Sequence, residues 1–153
     1  MDLSGKHTFN APRDIVYQAM TDPGVLRRAL PGCRTFDALG DGFYSITLSI
    51  GIGIIKGNYT GKVQLLNEAP PESFTLRVIA KGSVGAVRGQ GNFQLEPDPD
   101  DGHKTLLTYT GDARVQGKMG FLGHHLLRAG ANLIIGQFLS ALDTEVTGKG
   151  EAS

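Results

Sequence analysis

Two successive hydrophobic periodicities constrain the fold of this chain of 153 residues more than any other feature. Six strand-like segments fill its middle part, and the longest of them alternates strictly at Tyr44, Ile46, Leu48, Ile50, Ile52 and Ile54. From Lys118 to about Val146 the apolar spacing becomes that of a helix. A long helix that follows antiparallel strands must bury its apolar side against the sheet. We therefore predict an α+β fold, in which a curved sheet grips the C-terminal helix and encloses a cavity.

Turn motifs in the sequence mark where the predicted strands end and the next ones begin. Three of them, Gly40-Asp41-Gly42, Ala69-Pro70-Pro71 and Asp98 to Gly102, have the composition of hairpin connections. With an additional strand at the N-terminus, the sequence predicts a seven-stranded antiparallel sheet with strands at residues 3–9, 33–39, 42–55, 59–67, 73–82, 87–96 and 104–116.

Two short helices are predicted after the first strand. Asn10 is expected to cap the first, with Pro12 in its opening turn, and Asp22 to cap the second. Leu26 and Leu30 are four residues apart, so both can face inward from a lid over one end of the cavity. Arg27 and Arg28 would then face solvent.

Glycine is unusually placed in the C-terminal helix. The predicted apolar face includes Leu126, Leu133, Ile134 and Phe138, and Gly123, Gly130 and Gln137 run along its middle at intervals of seven. Each interior glycine costs roughly 0.5–1 kcal/mol relative to alanine. Either the sheet approaches closely at these positions, or they leave clearance for a ligand.

Composition indicates a protein of one domain, residues 1–148, followed by a polar tail at 149–153 that is expected to fray. Because the formal net charge is zero, no overall field favours nucleic acid. Cys33 is the single cysteine, and neither a signal peptide nor a membrane-spanning stretch is apparent. We therefore expect a cytoplasmic protein.

Catalytic and metal-binding motifs are not found. His124 and His125 are adjacent and would point about 100° apart on a helix, so they cannot chelate one metal ion. The segment Gly89-Gln90-Gly91 lacks the lysine and following helix of a phosphate-binding loop. The acidic turn at 98–102 lacks the later glutamate of a calcium loop. The sequence therefore predicts no catalytic residue and no metal site.

A mostly apolar cavity wall is what the alternating strands predict instead. Tyr59 and Tyr109 would offer hydroxyl groups to a ligand or to water, and Gln137 an amide. The predicted ligand-binding residues are Leu26, Leu30, Tyr44, Leu48, Ile50, Ile52, Tyr59, Val63, Leu76, Tyr109, Gly123, Leu126, Gly130, Leu133 and Gln137.

Several ordered motifs resemble the CoxG family, the G subunit of carbon monoxide dehydrogenase, within the START-like, or SRPBCC, helix-grip superfamily. They are Asp22-Pro23 with Leu26, Leu30-Pro31-Gly32-Cys33, Lys56 to Val63, Ala69-Pro70-Pro71, Gly89-Gln90-Gly91, Val115 to Lys118 and Leu122-Gly123. The resemblance implies a seven-stranded sheet around a C-terminal helix, two short helices after the first strand, and a hydrophobic ligand between sheet and helix. It also implies association with a molybdenum hydroxylase at the cytoplasmic membrane.

These observations favour a non-catalytic protein that binds a hydrophobic ligand, such as a quinone or another lipid, and serves or recruits a molybdenum hydroxylase. Peripheral contact with the inner face of the cytoplasmic membrane is expected, and contact with nucleic acid is not. Two alternatives stay open at this point: an enzyme of the cyclase or hydrolase type that uses the same cavity, and a protein adaptor with a filled core.

Overall fold

The structure is a computed structural model that describes residues 1–51, 56–83, 85–121 and 123–152. These described residues form seven strands, three α-helices and one short 3-10 helix. In chain order these are β1 Asp2–Phe9, α1 Arg13–Met20, α2 Pro23–Ala29, β2 Cys33–Gly40, β3 Phe43–Ile50, β4 Gly57–Ala69, β5 Ser73–Gly82, β6 Gly85–Pro97, β7 Thr105–Gln116, the 3-10 helix Gly117–Phe121 and α3 His124–Ala152.

All seven strands form one antiparallel sheet in the order β1-β7-β6-β5-β4-β3-β2. Strands β2 to β7 form a meander, and β1 joins it by pairing with β7. The predicted curved seven-stranded sheet with a long C-terminal helix is confirmed. Its concave face carries the apolar side chains and is partly covered by the helices.

The turn between β2 and β3 requires residues that tolerate left-handed backbone. Gly40, Asp41 and Gly42 have φ angles of 96°, 56° and 80°, values that glycine adopts without steric cost and aspartate tolerates. A side chain at Gly42 would also meet the carbonyl oxygen of Leu65 at 2.8 Å. Local chemistry therefore determines the register of this hairpin.

The two short helices begin in different ways. Asp22 caps α2 as predicted, because its carboxylate accepts a hydrogen bond from the Gly24 amide at 2.8 Å. The prediction for Asn10 was wrong: Pro12 occupies the N-cap of α1, in extended conformation and without a side-chain bond. The helix starts only after this proline, so Asn10 lies too far upstream.

The main core lies at one end of the sheet, where α1 and the second half of α3 pack on the concave face. Its fully buried side chains include Phe9, Met20, Phe74, Leu107 and Leu142. Smaller clusters surround Phe36 and Ile46 beneath α2, and Tyr59 and Ala80 near the start of β4.

Helix α3 departs from the sequence prediction at both ends. The α-helix begins at His124 rather than Lys118, after the 3-10 helix Gly117–Phe121, and it continues through Ala152. Glycines at positions 117, 120 and 123 weaken an α-helix there, and Gly117 has a φ of 79°. Most of the tail that was expected to fray is thus helical.

Polar contacts fasten α3 to its neighbours. The carboxylate of Asp143 lies 2.9 Å from Nε2 of His7 on β1, and Arg128 donates to the carbonyl oxygen of Asp2 at 2.7 Å. The guanidinium of Arg28 on α2 donates to the Glu145 carboxylate at 2.7 Å. These contacts tie the helix to the edge strand and to α2.

Tyr17 of α1 makes alkaline pH a test of the core. Its ring packs edge-on against Phe74, and its hydroxyl donates to the Glu68 carboxylate at 3.1 Å. Burial, followed by the hydrogen bond and charge of Glu68, raises the pKa of Tyr17 to about 12 from the usual 10.0.

We expect the free energy of unfolding to fall between pH 10 and 12. In this range the tyrosine of the unfolded chain loses its proton, whereas Tyr17 of the folded protein still retains it. Tyr17→Phe removes the titrating group and should make that fall shallower. Urea denaturation of both proteins at several pH values measures the difference. Parallel curves for the two proteins would refute the assignment, since Tyr59, whose burial also raises its pKa, is common to both.

Candidate functional site

A cavity of about 280 Å³ lies between the concave face of the sheet and α3. It is bounded by strands β1, β2 and β4 to β7, by α2 with the residue that follows it, and by the middle of α3. The side chains that line it include Leu3, Leu26, Leu30, Phe36, Val63, Leu76, Val78, Phe93, Tyr109, Ala113, Ile134, Ile135, Phe138 and Leu139.

The floor of the cavity consists of very small residues on two neighbouring strands. Gly91 of β6 pairs with Gly111 of β7, and Gly89 pairs with Ala113. We call these residues the glycine floor. They share the concave face with large side chains such as Phe93 and Tyr109, because alternate residues of a strand point to the same side. A side chain at Gly91 would meet the Phe93 ring at 3.1 Å, so this ring already covers part of the floor. The small residues beside it leave the remaining space between sheet and helix.

Two helices complete the enclosure. Leu26 and Leu30 project from α2 and its C-terminal end, while Arg27 and Arg28 are exposed, as the sequence predicted for a lid. Ile134 and Phe138 of α3 face the floor from the opposite side. The ion pair between Arg28 and Glu145 fastens this lid to α3.

The cavity wall offers little polarity. Gln90, Thr110 and Asp112 also border it, but all three are exposed and occupy the alternate positions whose side chains point to the convex face. The Tyr109 ring lies in the wall with its hydroxyl above Gly5, where it fills the space that a side chain at position 5 would need. Within the described part of the chain, no lysine, arginine or histidine side chain lines the cavity.

Some of the predicted ligand-binding residues reach this cavity. Leu26, Leu30, Val63, Leu76 and Tyr109 line it. Their contact with a ligand stays a prediction.

Other strand residues among those predicted do not line the cavity. Leu48, Ile50 and Tyr59 pack in the cluster around Ala80, and Tyr44 packs against Phe36 in the cluster beneath α2. These side chains lie on the concave face, but they pack against protein neighbours away from the open volume. Ile52 lies outside the described residues.

The predicted stripe on the helix was wrong in its direction. Leu126 is 56% exposed, Leu133 is 47% exposed, and Gly123 and Gln137 are exposed as well. Gly130 is half-buried and does not line the cavity. Successive residues are about 100° apart on a helix, and the sheet-facing side passes through Ile135, Phe138 and Leu142 instead. Apolar residues occur on nearly every side of α3, so their spacing was a weak guide.

The glycine floor is what the sequence reasoning missed. In the sequence analysis Gly89-Gln90-Gly91 is excluded as a phosphate loop and contributes to the family resemblance, but it is not placed at the cavity. A usable signal was present, because Gly89, Gly91 and Gly111 fall at the inward positions of two predicted strands. Glycine inside a strand often marks close approach of another group or a ligand.

Among the described residues, no three histidine, cysteine, aspartate or glutamate side chains lie close enough together to share a metal ion. Cys33 is half-buried, and its thiol donates to the carbonyl oxygen of Thr35 at 3.3 Å. Burial, more than the nearby charges, raises the pKa of this thiol.

Comparison of the chain with models of known protein families identifies a match. The model of the family described as CoxG, the G subunit of carbon monoxide dehydrogenase, matches residues 5–147, nearly the whole chain. The chain belongs to the CoxG family. The family description is that of an accessory subunit. A comparison with curated proteins finds no match.

Solved structures share the CoxG-family fold. A conserved protein from Geobacillus kaustophilus is 29% identical, with a TM-score of 0.92 over 97% of this chain and 96% of its own. A START superfamily protein from Mycobacterium smegmatis has a TM-score of 0.75 at 12% identity, covering 96% of this chain and 97% of its own. A Rhizobium leguminosarum protein reaches 0.68 at 15% identity, with 96% and 94% covered. The START-like fold is confirmed.

The cavity of this CoxG-family chain is concave, and its lining is mostly apolar. Small-molecule sites are typically concave and mostly apolar, with few polar groups that orient the ligand. Among the described helices, none combines the length and apolar character needed to cross a bilayer.

Proposed function

We propose that this CoxG-family protein is a non-catalytic carrier that holds a neutral hydrophobic molecule, a quinone or another lipid, and serves a molybdenum hydroxylase. The observation that carries the proposal is the apolar cavity between the glycine floor and α3. An adaptor with a filled core would not need it.

The cavity answers a physical problem. A quinone with an isoprenoid tail partitions into the bilayer, whereas a soluble hydroxylase must deliver electrons to it. Apolar walls such as Leu76, Val78 and Ile134 would replace the bilayer environment, at roughly 25 cal/mol for each Å² of apolar area removed from water. The part of the glycine floor that the Phe93 ring does not cover, at Gly89, Gly111 and Ala113, would let a ligand approach the strands closely.

The polarity of the wall favours a neutral ligand. A carboxylate or phosphate head group buried here would lack a cationic partner among the described lining residues, and burying an unpaired charge is costly. A carbonyl oxygen needs only one donor, which the hydroxyl of Tyr109 would supply.

The partner follows from the family. Its description names a subunit of carbon monoxide dehydrogenase, so we propose a molybdenum hydroxylase of this kind as the protein that receives or releases the ligand's electrons. Transient peripheral contact with the inner face of the cytoplasmic membrane would let the carrier exchange its ligand.

A cavity enzyme of the cyclase or hydrolase type would need an inward acid or base, for which the lining offers the phenol of Tyr109.

Tyr109→Phe tests the ligand's polar contact. We expect a short-chain quinone analogue to raise the melting temperature of the natural protein, because the ligand binds only the folded state. Loss of one hydrogen bond of about 0.5–1.5 kcal/mol should weaken binding of the analogue by roughly two- to tenfold. Thermal melts across an analogue titration measure both effects.

A hydrocarbon of similar size serves as the control ligand, since it offers no oxygen to Tyr109 and should shift both proteins equally. If the variant and the natural protein bind the quinone analogue equally well, the role of Tyr109 is refuted. If neither ligand shifts the melting temperature of the natural protein, the carrier proposal itself fails.

A further inference from the structure

A row of exposed side chains crosses the convex face of the sheet, on the side opposite the cavity. The strand register places Lys62 of β4, Ile79 of β5, Arg88 of β6 and Arg114 of β7 next to one another. All are exposed, and Ile79 is 40% exposed although it lies in the middle of the sheet. Arg77 and Lys81 flank Ile79 on the same strand and the same face. We call this group the convex basic patch.

Positive charge in the patch is only partly balanced by neighbouring carboxylates. Arg88 and Arg114 are direct cross-strand partners, and like charges in this position destabilise a sheet. Asp112 lies 3.7 Å from Arg114 and also contacts the N-terminal amine. Two more exposed aspartates border the patch: Asp2 pairs with Asp112, and Asp37 lies across β3 in the row of Lys62. No ion pair of Lys62 or Arg88 is found in the described part of the chain. The five basic side chains of the patch therefore outnumber the carboxylates that border it.

Part of the negative charge that balances these basic residues in the net charge of the chain lies at one end of the sheet. The chain has 15 lysine and arginine residues and 15 aspartate and glutamate residues. Many of the acidic residues lie in or beside the three hairpin turns, which share one end of the antiparallel meander: Asp41, Glu68, Glu72, Asp98, Asp100 and Asp101. A net charge of zero thus includes a patch with a local excess of positive charge.

The layout of the patch resembles a protein interface more than a lipid-binding surface. Interfaces combine an apolar centre with a polar rim and are enriched in arginine, which describes Ile79 surrounded by Arg77, Arg88 and Lys62. The cavity lies on the opposite side of the sheet, beneath α3. A bilayer against the convex face would leave the cavity turned away from the lipid, whereas a protein there leaves the cavity free.

We infer that the convex basic patch is the docking surface for an acidic patch on a protein partner, with Ile79 at the centre of the contact. The inference rests on the proposed function, because it takes the molybdenum hydroxylase as the partner. It proposes that the hydroxylase contacts the convex face of the sheet, opposite the face that holds the ligand. It adds that the carrier can bind its partner and exchange its ligand at the same time.

The test compares charge reversals on and off the patch. Lys62→Glu with Arg88→Glu reverses two charges of the row, and Arg27→Glu with Arg34→Glu makes the same change of net charge on exposed arginines of α2 and β2. The variant with Lys62→Glu and Arg88→Glu should not have a lower melting temperature than the natural protein, because a carboxylate at position 88 would face Arg114. The probe is the molybdenum hydroxylase purified from the same cells, immobilised for a binding assay at about 50 mM salt.

We expect the natural protein and the Arg27/Arg34 variant to bind the hydroxylase within about twofold of each other. The Lys62/Arg88 variant should bind at least about tenfold more weakly, and Ile79→Ser several-fold more weakly. All four proteins should retain the ligand-induced rise in melting temperature, which separates this inference from the carrier function.

Three results would overturn the inference: equal losses in both charge-reversed variants, no binding of the natural protein to the hydroxylase, or binding only to anionic vesicles of phosphatidylglycerol and phosphatidylcholine. In each case the ligand-dependent melts would still report separately on the carrier function.

Discussion

Ala113→Phe is expected to abolish ligand binding while leaving the protein folded. Ala113 belongs to the glycine floor and lines the cavity, so a ring added there would enter open volume rather than packed core. Because the cavity measures only about 280 Å³, the ring would occupy space that the ligand needs. We expect at least tenfold weaker binding of a quinone analogue, about 1.4 kcal/mol or more, measured as loss of the ligand-induced rise in melting temperature.

Ala129→Phe provides the matched control, since it makes the same substitution at an exposed position of α3. It should leave ligand binding unchanged. Unimpaired binding by the Ala113 variant would contradict the assignment of the cavity as the ligand site. Global unfolding of that variant would instead show that the floor is packed more tightly than the structure indicates.

Leu142→Ala is expected to cause the largest loss of stability among substitutions in α3. Leu142 is completely buried against the core of Phe9, Val16 and Leu107. Truncating a buried leucine typically costs about 2–5 kcal/mol, through lost apolar burial and the cavity left behind. Urea denaturation at neutral pH measures this change in the free energy of unfolding.

Leu133→Ala is the control for the orientation of the helix. Leu133 was predicted from the sequence to face the sheet, yet it is 47% exposed, and exposed substitutions usually change stability by no more than about 0.5 kcal/mol. Similar losses at Leu133 and Leu142 would mean that α3 is rotated relative to the structure described above.

The strands were predictable because two independent signals coincide in them. Alternating apolar residues identify the positions that face inward, and the turn motifs restrict the register in which neighbouring strands can pair. Strand β5, for example, was predicted at residues 73–82 and spans Ser73–Gly82. The start of α3 was harder to predict. Apolar spacing continues through residues 118–123, and only the glycines there reveal that the segment does not begin the α-helix.

The site was predicted less well than the fold, for a physical reason. Inward-facing residues follow from strand periodicity, but whether they meet a cavity or another side chain depends on how the helix seats against the sheet. Tyr59 and Tyr109 have the same pattern in sequence, yet Tyr59 is buried in a packed cluster and Tyr109 borders open space. Gly91 and Gly111, which line the cavity together with Tyr109, are brought together by pairing across two strands, a relation that depends on register.

The most direct test of the carrier function is native mass spectrometry of freshly purified protein, followed by organic extraction and analysis of the extract. We predict that part of the natural protein retains a neutral apolar molecule, and that the same molecule is missing from Ala113→Phe and present in Ala129→Phe. The account is contradicted if the natural protein carries only the mass of its chain and no quinone analogue or lipid raises its melting temperature.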